Sequence, residues 1–138
     1  MAVHHMAVSP EIAEIPRLNQ WVEEVLTAEG LDPRPILNAT LAIEEAVVNV
    51  INHAFDGVPP PHQVALSLAV AAGRLRVELS DNGRAFDPAS AAPPDLASPL
   101  EEREVGGLGL HLIRTMMDTV EYRREAGENR LVLEKSLS

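Results

Sequence analysis

The sequence predicts a two-layer α/β sandwich, a mixed and mostly antiparallel sheet covered on one face by helices. Three observations carry this expectation. Two long segments repeat apolar residues at three- and four-residue steps, two shorter ones alternate strictly about Ala72-Gly73, and a strand pair closes the chain after a third helical segment. A length of 138 residues suits one domain, 1–138, and 46% hydrophobic residues suffice for a core.

The first residues, with His4 and His5, read as a frayed or edge-strand start, short or degenerate; two histidines alone do not complete a metal site. The first helix is predicted from Ile15 to Gly30, with Ile15, Leu18, Val22, Val25 and Leu26 apolar, Pro16 in the first turn and Gly30 as the stop. Asp32 and Pro33 read as cap and first residue of a second helix running to about Ala54, its stripe formed by Ile36, Ile43, Val47, Val50 and Ala54. Pro59, Pro60 and Pro61 break the chain. Val64, Leu66, Leu68 and Val70 then share one face of a strand, and Leu75, Val77 and Leu79 one face of the next. The stretch from Asp87 to about residue 105 is rich in Pro, Ala, Ser and charge, the composition of a lid or a disordered loop. A third helix is expected from Leu108 to about Asp118. The closing hairpin is expected at Val120 to Arg124 and Leu131 to Leu133, turning at Gly127-Glu128-Asn129.

Composition excludes several functions. With 21 acidic against 11 basic residues the formal charge is −10, which argues against nonspecific nucleic-acid binding and permits a basic protein partner. No cysteine is present, so a disulfide scaffold, thiolate zinc site or cysteine nucleophile is excluded, and a reducing cytoplasm fits. No apolar run approaches the roughly 20 residues of a membrane span, and no signal peptide is visible. The single lysine, Lys135, lies in the tail, so no lysine follows the glycines as a P-loop requires. A nucleotide site here must hold phosphates with backbone amides, a metal or arginine.

Three features carry chemistry. Glu45, Asn49, Asn52 and His53 fall on one face of the second helix. A carboxylate there can take a proton or orient a hydroxyl, and an amide oxygen is a hard ligand suited to Mg²⁺. Asp81-Asn82-Gly83 ends a strand, where Gly83 would admit a flat ring and Asp81 would accept from an exocyclic amine. Gly106, Gly107 and Gly109 open the third helix, exposing backbone N–H groups at its positive end. Taken singly, these also fit a solvated helix face, an ordinary turn and a tight connection. In this order they describe one cleft with a metal ligand, a base reader, a lid and a phosphate cradle.

The stretch Ala42-Ile-Glu-Glu-Ala-Val-Val-Asn-Val-Ile-Asn-His-Ala-Phe55 resembles the N box of the ATP-binding superfamily of gyrase, histidine kinases and MutL. Asp81-Asn-Gly-Arg-Ala-Phe-Asp-Pro88 resembles its first glycine box, and Gly106-Gly-Leu-Gly-Leu-His-Leu-Ile-Arg-Thr-Met-Met-Asp118 its second. The nearest branch is that of the anti-sigma factor serine/threonine kinases, and the likeness runs from about Ile12 onward. It implies a Bergerat-type ATP-binding fold, ATP and Mg²⁺ as cofactors, and phosphorylation of an anti-sigma antagonist on serine or threonine. A sigma factor as second partner and a homodimer are also implied, with no nucleic acid and no membrane.

The resemblance assigns Glu45 as general base and Asn49 as Mg²⁺ ligand. Asp81 would read the adenine amine, with Gly83 and Phe86 beside it, and Asn52 and His53 would complete the N-box contribution. Gly107 and Gly109 would contact phosphate, with Gly106 also in the nucleotide site and Leu108 and Leu110 in backbone and packing roles. Some members carry a cation near the second glycine box; Arg103 and Arg84 are the candidates here. Many carry a threonine near the last hairpin, for which Asn129 is the candidate replacement. A catalytically weak, nucleotide-gated binding module is the alternative reading. A free-standing histidine-kinase catalytic domain fits less well, because about 30 residues before the N-box helix are too few for a dimerising hairpin.

Overall fold

The computed structural model describes residues 2–85 and 107–137, with side chains of 107–110 outside the description. Five strands form one sheet in the order β1-β2-β3-β5-β4: β1 is Val3–Val8, β2 Val64–Ala71, β3 Arg74–Asp81, β4 Thr119–Glu125 and β5 Glu128–Ser136. Every described pairing is antiparallel. The helices are α1, Ile15–Ala28 after a short 3-10 turn, α2, Pro33–His53, and α3, Gly107–Met116.

The alternating strands bury one face. Val64, Leu66 and Leu68 of β2, Leu75, Val77 and Leu79 of β3, and Leu131 and Leu133 of β5 lie in the core with Leu18, Val22 and Leu26 of α1. The middle helix, α2, packs against both α1 and α3. Its buried Ala39, Ala42 and Ala46 have little side chain, so backbones can approach closely where a larger residue would hold them apart. No helix among the described residues is long and apolar enough to cross a membrane.

The predicted helices and the first strand pair are present at close to the predicted bounds. Two expectations are corrected. The N-terminal strand is not degenerate: six residues pair with β2, His4 Nε2 lies 2.8 Å from Glu29 Oε1, and His5 Nδ1 lies 2.9 Å from Ser67 Oγ. The last turn is at Ala126-Gly127, not Gly127-Glu128-Asn129. Ala72-Gly73 and Ala126-Gly127 each place two residues at positive φ (52° and 71°, 52° and 79°), the geometry of a two-residue hairpin turn whose twist matches its strands. The shift puts Asn129 in β5, directly opposite Asp81.

Lys135, the one lysine, donates from Nζ to the Met116 carbonyl at 3.0 Å, placing a cation at the C-terminal end of α3.

Candidate functional site

Alternation and register build the site. On the core face, Asp81 of β3, Asn129 of β5 and Arg124 of β4 form one cross-strand row. Leu79, Leu131 and Tyr122 form the next. Across from these rows, α2 contributes Ala46, Asn49 and Val50, and α3 contributes Ile113. Together Ala46, Asn49, Val50, Leu79, Asp81, Ile113, Tyr122, Asn129 and Leu131 line one crevice of about 360 Å³ with its open mouth included. Its enclosed part is about 20 Å³, room for roughly one water.

Asp81 is 5% exposed. Its Oδ1 accepts from the Gly83 N–H and from Asn129 Nδ2, each at 2.9 Å, so the second carboxylate oxygen is not committed to these bonds. Burial raises the Asp81 pKa, opposed by the Asn129 and Gly83 hydrogen bonds and the Arg124 charge, while Glu128 adds to the rise. Asn129 is also buried. Its Nδ2 donates to the Arg84 carbonyl at 2.7 Å, and its Oδ1 accepts from the Tyr122 hydroxyl at 2.5 Å and from Arg124 Nη1 at 3.1 Å.

Asn49 is 4% exposed, and its Oδ1 has no hydrogen-bond partner among the described residues. A buried amide oxygen without a donor is costly, and a hard cation is one group that satisfies it. The donor chemistry of Asn49 therefore fits Mg²⁺. Glu45 lies one turn earlier, half-buried, with its pKa raised by burial and then by the neighbouring Glu44 charge. Glu44 is held from α1 by Asn19 Nδ2 at 3.1 Å.

Other expected residues take different places. Asn52 is exposed and His53 half-buried, and neither lines the crevice. The helical face named in the sequence thus divides, with Asn49 inward and Asn52 outward. A Cβ on Gly83 would fall 2.3 Å from the Ala54 carbonyl oxygen, so its absent side chain serves packing against the end of α2. Arg84 donates from Nε to the His53 carbonyl at 2.8 Å, and its backbone N–H to the Ala54 carbonyl at 2.7 Å. Its guanidinium is therefore engaged at the end of α2, about 12 Å along the helix from Glu45. Gly107, Leu108, Gly109 and Leu110 form the first turn of α3, whose leading backbone N–H groups have no partner within the helix. Phe86, Arg103, Gly106 and the lid expected at about 87–105 lie outside the described residues.

Sequence reasoning missed Tyr122, Arg124 and Asn82. Asn82 binds the α2–β2 connection, accepting from the Gln63 N–H at 2.7 Å and donating to the Pro61 carbonyl at 2.9 Å. Arg124 had a signal in the sequence: it continues the parity of Val120 and Tyr122, which marks a charge on the core side of an edge strand.

Comparison with known proteins identifies the family. Residues 8–135 match the family model described as a histidine kinase-like ATPase domain. The serine/threonine-protein kinase BtrW of Bordetella bronchiseptica is 36% identical over 115 residues, covering 82% of this chain and 79% of that protein. The serine-protein kinase RsbW of Halalkalibacterium halodurans is 33% identical over 140 residues, covering 92% and 82%. Among solved structures, the RsbU and RsbW domains of a Mycobacterium tuberculosis protein superpose with a TM-score of 0.70 at 19% identity. That match covers 99% of this chain, which spans 33% of the mycobacterial one, and it bears on the fold alone.

Proposed function

The chain belongs to the histidine kinase-like ATPase family, on the branch of the serine/threonine-protein kinases, and from that premise we propose a specific reaction. It transfers the γ-phosphoryl group of ATP to a serine or threonine of an anti-sigma antagonist protein, and so regulates a sigma factor. The observation that carries this reading is the crevice shared by Asn49 and Asp81, which joins an unpartnered amide oxygen to a buried carboxylate across apolar walls.

The roles follow from that crevice. Asp81 accepts from the exocyclic amine of adenine with its second oxygen, and the apolar walls take the ring. The backbone N–H groups opening α3 at Gly107 receive phosphate. Asn49 would hold Mg²⁺ by Oδ1; when bound, the ion neutralises charge on the phosphate oxygens. Glu45 takes the proton of the attacking hydroxyl as its oxygen bonds to phosphorus and the bond to ADP breaks. Its raised pKa suits it to accept and release a proton nearer neutrality than an ordinary glutamate.

The test uses the full chain with radiolabelled ATP, Mg²⁺ and a purified small anti-sigma antagonist. The parent labels the antagonist, and Glu45→Ala lowers the rate by at least about a hundredfold while ATP affinity by calorimetry stays close to that of the parent. Equal labelling by the variant removes Glu45 from the mechanism. ATP uptake without labelling by the parent points instead to the nucleotide-gated binding module.

A further inference from the structure

We propose that Arg124 is a positioning residue that makes Asp81 present only a hydrogen-bond acceptor to a purine, so that the site selects an amino group over a carbonyl. The proposal rests on the reading of Asp81 as the base-contacting residue. Arg124 Nη1 donates to two oxygens, the Gly83 carbonyl at 2.8 Å and Asn129 Oδ1 at 3.1 Å. Those residues are the same two whose N–H groups hold Asp81 Oδ1. Through the Asn129 side chain the hydrogen bonds therefore run one way, from guanidinium through one amide group to carboxylate, and such a chain polarises in a common direction, while the bond to the Gly83 carbonyl, which belongs to the following peptide group, anchors the guanidinium beside the turn.

The direction is fixed at both ends. A guanidinium has no acceptor, so the oxygen of Asn129 must face Arg124. A backbone carbonyl has no donor, so the NH₂ of Asn129 must face Arg84. Tyr122 does not fix anything, since its hydroxyl either donates or accepts. Asp81 Oδ1 then receives two N–H groups, which favours the ionised carboxylate. The Arg124 charge acts in the same sense against burial. An ionised carboxylate offers its other oxygen to the 6-amino group of adenine. The 6-oxo group of guanine would set oxygen against oxygen and leave both unpaired. A protonated Asp81 could donate to that oxygen, and the discrimination would fade.

The experiment measures ATP and GTP affinities of the full chain by calorimetry with Mg²⁺ present, for the parent, Arg124→Met, Arg124→Lys and Arg123→Met. Arg123 is the matched control, one residue away on the opposite face and near Glu121 and Glu125 at 3.4 and 3.7 Å. The parent prefers ATP, Arg124→Met loses about tenfold of that preference, Arg124→Lys recovers most of it, and Arg123→Met keeps it. If Arg124→Met fails to fold by circular dichroism, Arg124→Gln replaces it, because its amide turns either way while Lys only donates. A variant that loses affinity for both nucleotides with an unchanged ratio overturns the proposal and leaves the reading of Asp81 standing. A parent that takes up ATP and GTP equally, or neither, overturns both.

Discussion

Asp81 concentrates the chemistry of the site in one buried carboxylate. Its pKa is higher folded than unfolded, because burial outweighs the Asn129 and Gly83 hydrogen bonds and the Arg124 charge. A carboxyl group with a raised folded pKa contributes stability that is complete below its unfolded pKa and lost as pH rises through the folded value. Above its unfolded pKa the burial of Asp81 therefore costs stability. Asp81→Asn keeps the acceptor for Gly83 and Asn129 but carries no charge. Its stability relative to the parent, by urea denaturation, should rise as pH increases above the ordinary Asp value of 3.8 and then level off. ATP affinity should fall about a hundredfold, since an amide N–H then meets the adenine amine. A relative stability that falls over that range would contradict the cause given for the shift.

At the scale of elements, the junction of α2 with the turn after β3 is where the site is braced. Helix α2 ends with carbonyls lacking intrahelical partners, and Arg84 satisfies two of them, those of His53 and Ala54. Gly83 makes this closeness possible: any Cβ there would fall 2.3 Å from the Ala54 carbonyl oxygen and 2.7 Å from its Cβ. Both obstructing groups are short and fixed, so neither can swing away. Gly83→Ala should destabilise the fold by about 3 kcal/mol in urea denaturation and weaken ATP binding, because the Asp81 carboxylate moves with the turn. A variant as stable as the parent would mean that the end of α2 yields freely. The β4–β5 hairpin braces the other side, with Tyr122 and Arg124 both reaching Asn129.

At the scale of the whole molecule, the sheet and α2 hold opposite walls of the crevice, so a ligand between them stabilises the assembled fold and not the unfolded chain. ATP at about a hundred times its dissociation constant should add about 2.7 kcal/mol, raising Tm by several degrees. The rise should be larger with Mg²⁺ than without, and Asn49→Leu should remove that difference. A Tm indifferent to ATP under both conditions would leave the crevice without a nucleotide. The formal charge of −10 acts at this scale too, favouring encounter with a basic partner surface at low salt.

Local patterning made most of the fold legible. Stripes at three and four residues announced α1 and α2, alternation announced β2 and β3, and Asp32-Pro33 marked where α2 starts. Glu45, Asn49 and Asp81 could be picked out as chemical groups because spacing on one helix or one strand is a property of neighbouring residues. Register across strands distant in sequence is not such a property. The pairing of β3 with β5 set Asn129 opposite Asp81, and the two-residue turn at Ala126-Gly127 brought Arg124 opposite Asn129. Packing likewise decided that Asn49 turns inward while Asn52 faces solvent, and that Gly83 makes room for a helix end. The sequence by itself determined which groups the chain carries and which elements present them. Only the tertiary structure decided which of them meet, because hydrogen bonds and close contacts form between surfaces that no local period relates.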